Sequence, residues 1–565
     1  MRTRVLSIGA VATLAALCVV AVPADSDAQE AALTGTVNSQ QEGQMEGVVV
    51  SARRGGAIFT VSVVSDAQGR FSFPRTHLEP GSYALSTRAV GYDLVDPGPV
   101  EVTADAPATR DLTLRVTEDL PSQLSSLEWI MSMPGTTEQK ELLAYQGLSC
   151  AYCHTYERIV KSRHSTDQFP GVIRRMSTYF NDGTALGRGN RGRAERWYQE
   201  RVDQVLAQPA ERTPLSDYLA TVNLSGDKTT WPYELKTLPR PTGKATRVIM
   251  TQWDMPRPSI VPHDMAMAAD GTPWYADQSR MIIGKLDPET NEFTEYAMPP
   301  LPEGRVGGIS DIDVDHQGNV WFPASQPEGT CYFGTPTRFH VESETFETIE
   351  DPEDNCLQFV DVGPDGKVWM NNISTMVRVN PETMAIDGSF NFTEGPNIPP
   401  GFHVGYQVVV NSEGDGYISD FSGSAVIGVD GTTGEVGFWP TPDPGVLPRR
   451  GQMDAEDGYW FAEYGGDKIT RFDTRTETFQ QYPLPLKFTT PYAVSAPDKD
   501  GRVYASSNMS ERVLRLDPET GEVVEYQVPT DFDSKELIFD PTTDRAVLWM
   551  ANTRNARFLR VEPLD

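Results

Sequence analysis

The spacing of apolar residues changes twice along this chain. Between residues 31 and 118, apolar and polar residues alternate in short runs separated by turn residues, a pattern typical of β-strands. Between residues 122 and 226 the apolar residues recur every three or four positions, which indicates helices. Short apolar strands and tight turns return from residue 245 to residue 565. The chain is therefore predicted to be mainly β, with an all-α insert between two β regions.

The first region is predicted to be an N-terminal β-sandwich. Its expected strands cover residues 47–52, 58–65, 71–73, 83–89 and 109–115. The phrases at residues 64–73, 80–83 and 91–92 resemble the carboxypeptidase regulatory-like domain. That resemblance implies a small antiparallel sandwich of prealbumin-like or carbohydrate-binding-like topology that serves as an accessory or docking module.

The second region is predicted to be a small helical domain. Apolar residues with helical spacing occur at Leu124, Leu127 and Ile130, and again at residues 172–176. Residues 193–207 are expected to form another helix. A last helix is predicted to begin at Thr213-Pro214-Leu215, with Thr213 as N-cap and Pro214 at the first helical position.

The third region is a repeat array. An aromatic residue follows a tight turn every 43 to 48 residues, at Trp274, Trp321, Trp369, Tyr417, Trp460, Tyr504 and Trp549. A short strand that begins with a cation closes most units, with Lys285, Arg338, Arg378, Arg471, Arg515 and Arg560; Gly428 takes this place in the fourth unit. Several strands in each of seven units predict a C-terminal seven-bladed β-propeller.

The ends of the array are expected to close the ring. Residues 251–256 have the pattern of the outer strand of a blade. The last unit, at the end of the given sequence, has its third strand but is not followed by an outer strand of its own. Pairing of the two would complete the last blade and remove both open sheet edges, which a solenoid of the same period would leave exposed. The phrases at residues 460–471 and 262–264 resemble the virginiamycin B lyase family, also called streptogramin lyases, over roughly residues 247 to 562.

Residues 1–28 read as a secretory signal peptide. Arg2 and Arg4 precede an apolar stretch that ends in small residues suited to cleavage. A retained membrane anchor is the alternative. We expect a periplasmic or secreted protein with no membrane span after cleavage. A formal charge of −31 argues against a nucleic-acid partner, because a polyanion would be repelled over most of the surface.

The helical region contains Cys150-Ala-Tyr-Cys153-His154, a c-type haem attachment motif. Two thiols on one helical turn can reach the two vinyl groups of a porphyrin, and the adjacent imidazole can bind the iron. A structural disulfide or half of a zinc site is the alternative, but no second pair of zinc ligands follows at a compatible spacing. The motif predicts one covalent haem c, and the segment resembles a class I-like cytochrome c domain.

Two residues are candidates for the sixth ligand of the haem iron. Met176 lies 22 residues after His154 in a helical run, and His164 lies ten residues after it. An open site is the third possibility. The stretch from residue 158 to residue 201 is basic, with ten Lys or Arg residues and four acidic ones. It forms either a solvated helix face or a surface that steers an anionic redox partner protein.

Two further cysteines, Cys331 and Cys356, are predicted to form a disulfide. In an oxidising compartment two remaining cysteines are more often paired than reactive. Their bond would link the end of the second propeller unit to the start of the third.

One position in each propeller unit is expected to point into the central channel. Counting back from the repeat aromatics gives His263, Ser310, Gln358, Tyr406, Arg450, Tyr492 and Glu536. A second ring of positions holds Asp277, Asp420 and Glu463 among neutral residues. These side chains would form either a binding funnel for a small molecule, a glycan or a divalent metal ion, or a hydrated channel.

The lyase resemblance implies two funnel histidines on neighbouring blades, with acidic residues that hold magnesium. Only His263 is found at the motif position, so the catalytic set is incomplete; His263, Glu536 and Glu463 are the candidate catalytic residues. Three functions stay open at this point. They are periplasmic electron transfer with a propeller that binds a partner or substrate, a C–O lyase reaction, and non-catalytic binding to a glycan or to the cell envelope.

Overall fold

The computed structural model describes most of the chain outside its first 29 residues. The described residues are 30–145, 150–151, 154–177, 207–226, 228–300, 307–325, 334–351, 353 and 355–565.

The N-terminal domain contains two sheets. Its strands are β1 (Ala31–Ser39), β2 (Gly43–Gln44), β3 (Val49–Arg54), β4 (Phe59–Val64), β5 (Arg70–Pro74), β6 (Gly81–Arg88), β7 (Tyr92–Leu94), β8 (Val100–Val102), β9 (Ala108–Thr109) and β10 (Leu112–Val116). The five expected strands are present within a few residues. The longest strand, β1, is not among them, although its buried positions nearly alternate. The expectation of a purely antiparallel sandwich is wrong, because β1 pairs in parallel with both β9 and β10.

The second region is helical in its described parts. It contains α1 (Ser126–Ser132), α2 (Thr137–Tyr145), α3 (Glu157–Val160), α4 (Phe169–Ser177) and α5 (Pro214–Val222). Helix α5 begins as expected. The Thr213 side chain accepts a hydrogen bond from the Ser216 amide, and the Ser216 hydroxyl oxygen accepts one from the Thr213 amide. The helix expected over residues 193–207 lies almost wholly outside the described residues. A cytochrome c fold for this region stays a prediction.

The third region forms seven four-stranded antiparallel sheets, each built from consecutive strands except at the seam. The strands of the first three are β12 (Pro262–Met267), β13 (Pro273–Asp277), β14 (Ile282–Asp287), β15 (Glu292–Ala297); β16 (Asp313–Val314), β17 (Val320–Ala324), β18 (Thr335–His340), β19 (Thr345–Thr348); β20 (Phe359–Val362), β21 (Val368–Asn371), β22 (Thr375–Asn380) and β23 (Ala385–Asn391).

The next three sheets contain β24 (Gly405–Val410), β25 (Gly416–Asp420), β26 (Ala425–Val429), β27 (Val436–Pro440); β28 (Pro448–Met453), β29 (Gly458–Glu463), β30 (Lys468–Asp473), β31 (Thr478–Pro483); β32 (Pro491–Val494), β33 (Val503–Ser507), β34 (Arg512–Leu516) and β35 (Val523–Gln527). The seventh contains β36 (Ile538–Phe539), β37 (Leu548–Asn552), β38 (Arg557–Pro563) and β11 (Val248–Asp254). Each sheet packs on the next, the sixth and seventh through a shared apolar core, and the seventh packs on the first through β37 and β12. The architecture is propeller-like.

The two terminal strands of the array pair as the sequence predicts. Strand β11 pairs antiparallel with β38 along its whole length, from Val248 opposite Pro563 to Asp254 opposite Arg557. The other edge of β11 is also paired, because it forms hydrogen bonds with β4 of the N-terminal domain. The seventh blade and one sheet of the sandwich therefore form a single eight-stranded sheet.

The register of the blades explains the sequence repeat. Each repeat aromatic lies on the second strand of its sheet, directly opposite the repeat cation on the third strand, as in Trp321 opposite Arg338 and Trp549 opposite Arg560. The Arg338 guanidinium lies 5.3 Å from the centroid of the Trp321 ring. In the fourth blade Gly428 lies opposite Tyr417, so the cation is missing there. In the first, second, third and seventh blades the two side chains form a cross-strand cation–π pair, which stabilises a sheet through neighbouring side chains.

In the part of the chain that the structure describes, no helix is long and apolar enough to cross a membrane.

Candidate functional site

The haem-attachment motif lies on the helical region where that region packs against the propeller-like ring. Cys150 is a free, partly buried thiol, and burial raises its pKa to about 11. Its side chain packs against the hydrophobic core of the helices. Cys153 lies outside the described residues.

The imidazole of His154 is fixed in one orientation. Its Nδ1 lies 2.7 Å from the carbonyl oxygen of Thr155. A carbonyl can only accept, so Nδ1 carries the proton and the Nε2 lone pair points away from this bond. Burial lowers the pKa of His154, which favours the neutral ring. A neutral imidazole whose other nitrogen donates to a backbone carbonyl is the common state of a metal-binding histidine.

Side chains of the ring hold the motif segment in place. The buried guanidinium of Arg554 donates to the Ala151 carbonyl at 2.7 Å, and also to Glu511 at 2.9 Å. The other carboxylate oxygen of Glu511 accepts from Arg88 of the N-terminal domain. Tyr464 donates to the carbonyl of Ala144, at the end of α2, at 3.3 Å. One buried carboxylate therefore connects the sandwich to the arginine that holds the backbone at Ala151.

The two candidate distal ligands lie on either side of the start of α4. The side chain of Met176 is 38 % exposed. His164 packs edge-on against Phe169, with ring centroids 5.6 Å apart. Neither the exposure of Met176 nor the ring contact of His164 decides which residue is the distal ligand, so both assignments stay predictions.

Cys356 is disulfide-bonded and lies just before β20, at the start of the third blade. Cys331 lies outside the described residues, so the pairing of these two cysteines stays a prediction.

The predicted channel positions lie in or just before the first strand of each blade, and several of them meet. The Nδ1 of His263 lies 3.0 Å from the carbonyl oxygen of Ser310, and the Ser310 hydroxyl donates to the carbonyl of Gln358. The hydroxyls of Tyr406 and Tyr492 are hydrogen-bonded across the ring. Several of the counted positions therefore meet at the first strands of the blades, and a channel that they line stays a prediction.

A fully buried arginine occupies the middle of this channel. Arg450 donates two hydrogen bonds to Asp264, at 2.5 and 2.8 Å, and one to Glu536 at 2.9 Å. Asp311 lies 4.0 Å away. His263 donates from Nδ1 to Asp264 at 2.8 Å, in addition to Ser310.

The electrostatics follow from this arrangement. Burial raises the pKa of Asp264, but Arg450 and His263 outweigh it and hold the pKa below its usual value. Burial and the charge of Asp264 raise the pKa of Asp311 well above the usual range. Burial raises the pKa of Glu536 to about 7, although Arg450 opposes the shift.

A divalent metal ion does not fit these residues. The guanidinium of Arg450 is already the cation that Asp264 and Glu536 share. Among the residues that the structure describes, no group of three or more His, Cys, Asp or Glu side chains is placed to hold a metal ion. The divalent metal predicted for the funnel is therefore not supported by its donor set.

The second predicted ring does not form a common site in the described residues. Glu463 accepts hydrogen bonds from the side chains of Thr470 on β30 and Gln481 on β31, the third and fourth strands of its own sheet, at 2.7 and 2.8 Å. Asp277 and Asp420 each bind the loop that precedes the first strand of their blade: Asp277 accepts from the Val261 amide and Asp420 from the Val404 amide. Each carboxylate lies at the end of a second strand: Asp277 and Asp420 pair backbone amides of a loop, whereas Glu463 joins side chains of its own sheet.

Three residues of the channel are not predicted from the sequence. Asp264 and Asp311 each directly follow a predicted position, and Arg449 directly precedes one. Side chains of neighbouring residues on a regular strand point to opposite faces, so a regular strand would turn these three side chains away from the predicted channel. In β28 and β12 the register shifts, between Pro448 and Gly451 and between Pro262 and Asp264, and this irregularity lets consecutive residues point inward.

Comparison with known proteins identifies one part of the chain. Residues 32–115 match the carboxypeptidase regulatory-like domain. This domain contains β1 to most of β10, and its β4 pairs with the ring. No curated protein matches the chain.

Two similar solved structures are lyases. Virginiamycin B lyase from Staphylococcus aureus is 16 % identical, with a TM-score of 0.47 over 56 % of this chain and 99 % of that one. A streptogramin B lyase is also 16 % identical, with a TM-score of 0.48 over 57 % of this chain and 99 % of that one.

Proposed function

We propose that this chain is an exported c-type cytochrome that transfers electrons through one covalent haem. Cys150 and Cys153 would carry the thioether bonds, and His154 would bind the iron through Nε2. The haem iron would supply one-electron redox chemistry. Residues 1–28 would direct export to the periplasm or beyond, where a redox partner protein would meet the haem.

The state of His154 carries this proposal. Its Nδ1 donates to the Thr155 carbonyl at 2.7 Å, which leaves Nε2 as an acceptor. Its pKa is lowered by burial, so the ring is neutral and able to bind a metal. The thiol of Cys150 is free for attachment four residues earlier. The distal ligand would be Met176, with His164 as the alternative.

The ring and the carboxypeptidase regulatory-like domain would hold the haem segment at a fixed place. Arg554 binds the backbone at Ala151, directly after Cys150, and Glu511 connects Arg554 to Arg88. A fixed position reduces the reorganisation that accompanies each electron transfer. The ring would then present a partner or substrate, such as a small molecule or glycan, to the haem.

Electron transfer is favoured over the lyase reaction by the position of Arg450. This side chain binds Asp264 and Glu536, so neither carboxylate is free to hold a magnesium ion beside His263. The channel histidine, His263, is 6 % exposed and donates from Nδ1 to Asp264 and Ser310.

Covalent haem staining of the denatured chain tests the proposal. We expect Cys150→Ser or Cys153→Ser to reduce the staining and the double variant to abolish it, because both thioethers come from this one motif. Cys356→Ser is the matched control and should stain like the unchanged protein. Equal staining of the double variant would contradict the proposal.

A further inference from the structure

The strongest unexplained feature outside the haem motif is a buried cation without a counter-ion. Arg449 is 1 % exposed, and its Nε and Nη2 have no hydrogen-bond partner. In the described part of the chain no carboxylate lies within ion-pair distance of it. An unpaired buried guanidinium is costly, and buried N–H groups are nearly always satisfied. Arg450, the next residue, is by contrast bonded to Asp264 and Glu536.

Aromatic rings enclose the faces of this guanidinium. Its carbon atom lies 4.1 Å from the centroid of Phe421, 4.8 Å from Tyr464, 5.0 Å from Tyr406 and 5.2 Å from Tyr492. The electron-rich faces of these rings stabilise the charge. They cannot satisfy the in-plane N–H groups, so a partner must approach from the edge of the guanidinium.

The chemistry of the unpaired edge identifies that partner. Nε and Nη2 lie on the same side of the guanidinium and present two parallel N–H bonds. Two parallel N–H donors match the two oxygens of a carboxylate. A second cation is adjacent, since the ammonium of Lys535 lies 4.3 Å from the centroid of the Tyr492 ring, but Lys535 is already paired with Asp533 at 2.9 Å. Arg449 and Arg554 both contribute to lowering the pKa of Lys535, after burial as the main cause, so the three cations are close together.

The cage lies beneath the haem segment. Tyr464, one wall of the cage, donates to the carbonyl of Ala144 and packs on the ring of Tyr145 at 6.2 Å. Arg554 holds Ala151 on the other side of the undescribed residues 146–149. A carboxylate at Arg449 would therefore lie next to the attachment motif.

We propose that the free edge of Arg449, within the cage of Phe421, Tyr464, Tyr406 and Tyr492, is a binding site for a carboxylate group. The carboxylate is either a propionate of the haem or that of a free organic acid. This inference goes beyond the proposed function, because a free acid would bind whether or not the chain carries haem.

Calorimetric titration of the full-length protein with benzoate tests the site. Benzoate offers a carboxylate with a ring that suits the aromatic walls. Arg449→Lys keeps the charge but loses the planar edge, and should weaken binding at least about tenfold. Arg515→Lys is the matched control, since Arg515 is also buried beside a tyrosine but is paired with Asp565.

The two sources give different results. Binding of benzoate to the haem-loaded protein, lost in Arg449→Lys, assigns the site to a free acid. No binding to the loaded protein, together with a changed reduction potential in Arg449→Lys but not in Arg515→Lys, assigns it to a propionate. If the purified chain carries no haem, the proposed function fails, and benzoate binding alone decides this inference. Absence of benzoate binding, with an unchanged potential wherever haem is present, would overturn it.

Discussion

Replacement of Arg450 by methionine should destabilise the propeller-like ring strongly at neutral pH. The guanidinium is fully buried and makes three hydrogen bonds, two to Asp264 and one to Glu536. Methionine fills similar space but leaves Asp264 as a buried charge without a cation. Breaking a buried ion pair by removing one partner costs about 3–5 kcal/mol.

The loss should depend on pH in a definite direction. In the unchanged protein the pKa of Asp264 is held below 3.8, so its contribution to stability is present above that pH and is lost only in stronger acid. Without Arg450, burial would raise the pKa of folded Asp264 above the unfolded value. The penalty then grows as the pH rises through the raised pKa, and it shrinks as acid protonates the folded carboxyl. The variant should therefore recover stability relative to the unchanged protein on acidification.

Differential scanning calorimetry at pH 7.5 and pH 5 measures both effects. At about 2 °C per kcal/mol, Arg450→Met should lower the Tm by roughly 6–10 °C at pH 7.5 and by less at pH 5. The control is Lys499→Met, which removes an exposed cation that lies 4.0 Å from Asp544 and should change the Tm by no more than about 1 °C. A loss at pH 7.5 no larger than that of the control, or a larger loss at pH 5, would refute the reasoning.

Three further outcomes are expected. Burial raises the pKa of Glu536 from 4.5 to about 7, so this carboxyl favours the folded state fully below pH 4.5 and loses that effect as the pH rises to about 7. The Tm of Glu536→Gln, measured by thermal scans, should therefore lack this dependence on pH. A pH profile of the Tm that is the same in both proteins would contradict this expectation. Cys331 and Cys356 should resist alkylation under denaturing conditions without reductant, and labelling of both would exclude the disulfide. Met176→Ala should lower the reduction potential and remove the sulfur-to-iron absorption band, whereas loss of the low-spin spectrum in His164→Ala alone would assign a bis-histidine haem.

The repeat register of the ring could be predicted because a physical pair lies behind it. Trp321 and Arg338 are 17 positions apart in the sequence but directly opposite each other on neighbouring strands. A cation lies opposite the repeat aromatic in six of the seven blades, so the pair marks the second and third strands of each of them. The pairing of the terminal strands was predicted from their places at the two ends of the array, and β11 completes the last blade.

Contacts between the regions could not be predicted in the same way. The pairing of β4 with β11 joins strands almost two hundred residues apart, and neither strand has a pattern that identifies its neighbour. The connection from Arg88 through Glu511 to Arg554 depends on three side chains that look like ordinary surface charges in the sequence.

The channel shows where strand alternation fails. A strict period of two predicts Arg450 in the channel and Arg449 outside it, but the shifted register of β28 places both in the interior. The paired Arg450 could therefore be predicted from the sequence, whereas the unpaired Arg449 could not.

The mass of the intact, exported protein under denaturing conditions tests the central claim most directly. A haem attached through Cys150 and Cys153 stays on the unfolded chain, whereas a haem held only by His154 is lost. We predict the mass of the chain after removal of residues 1–28 plus one haem, and the mass of the chain alone for Cys150→Ser combined with Cys153→Ser. An exported protein whose denatured mass is that of the polypeptide alone would contradict the account.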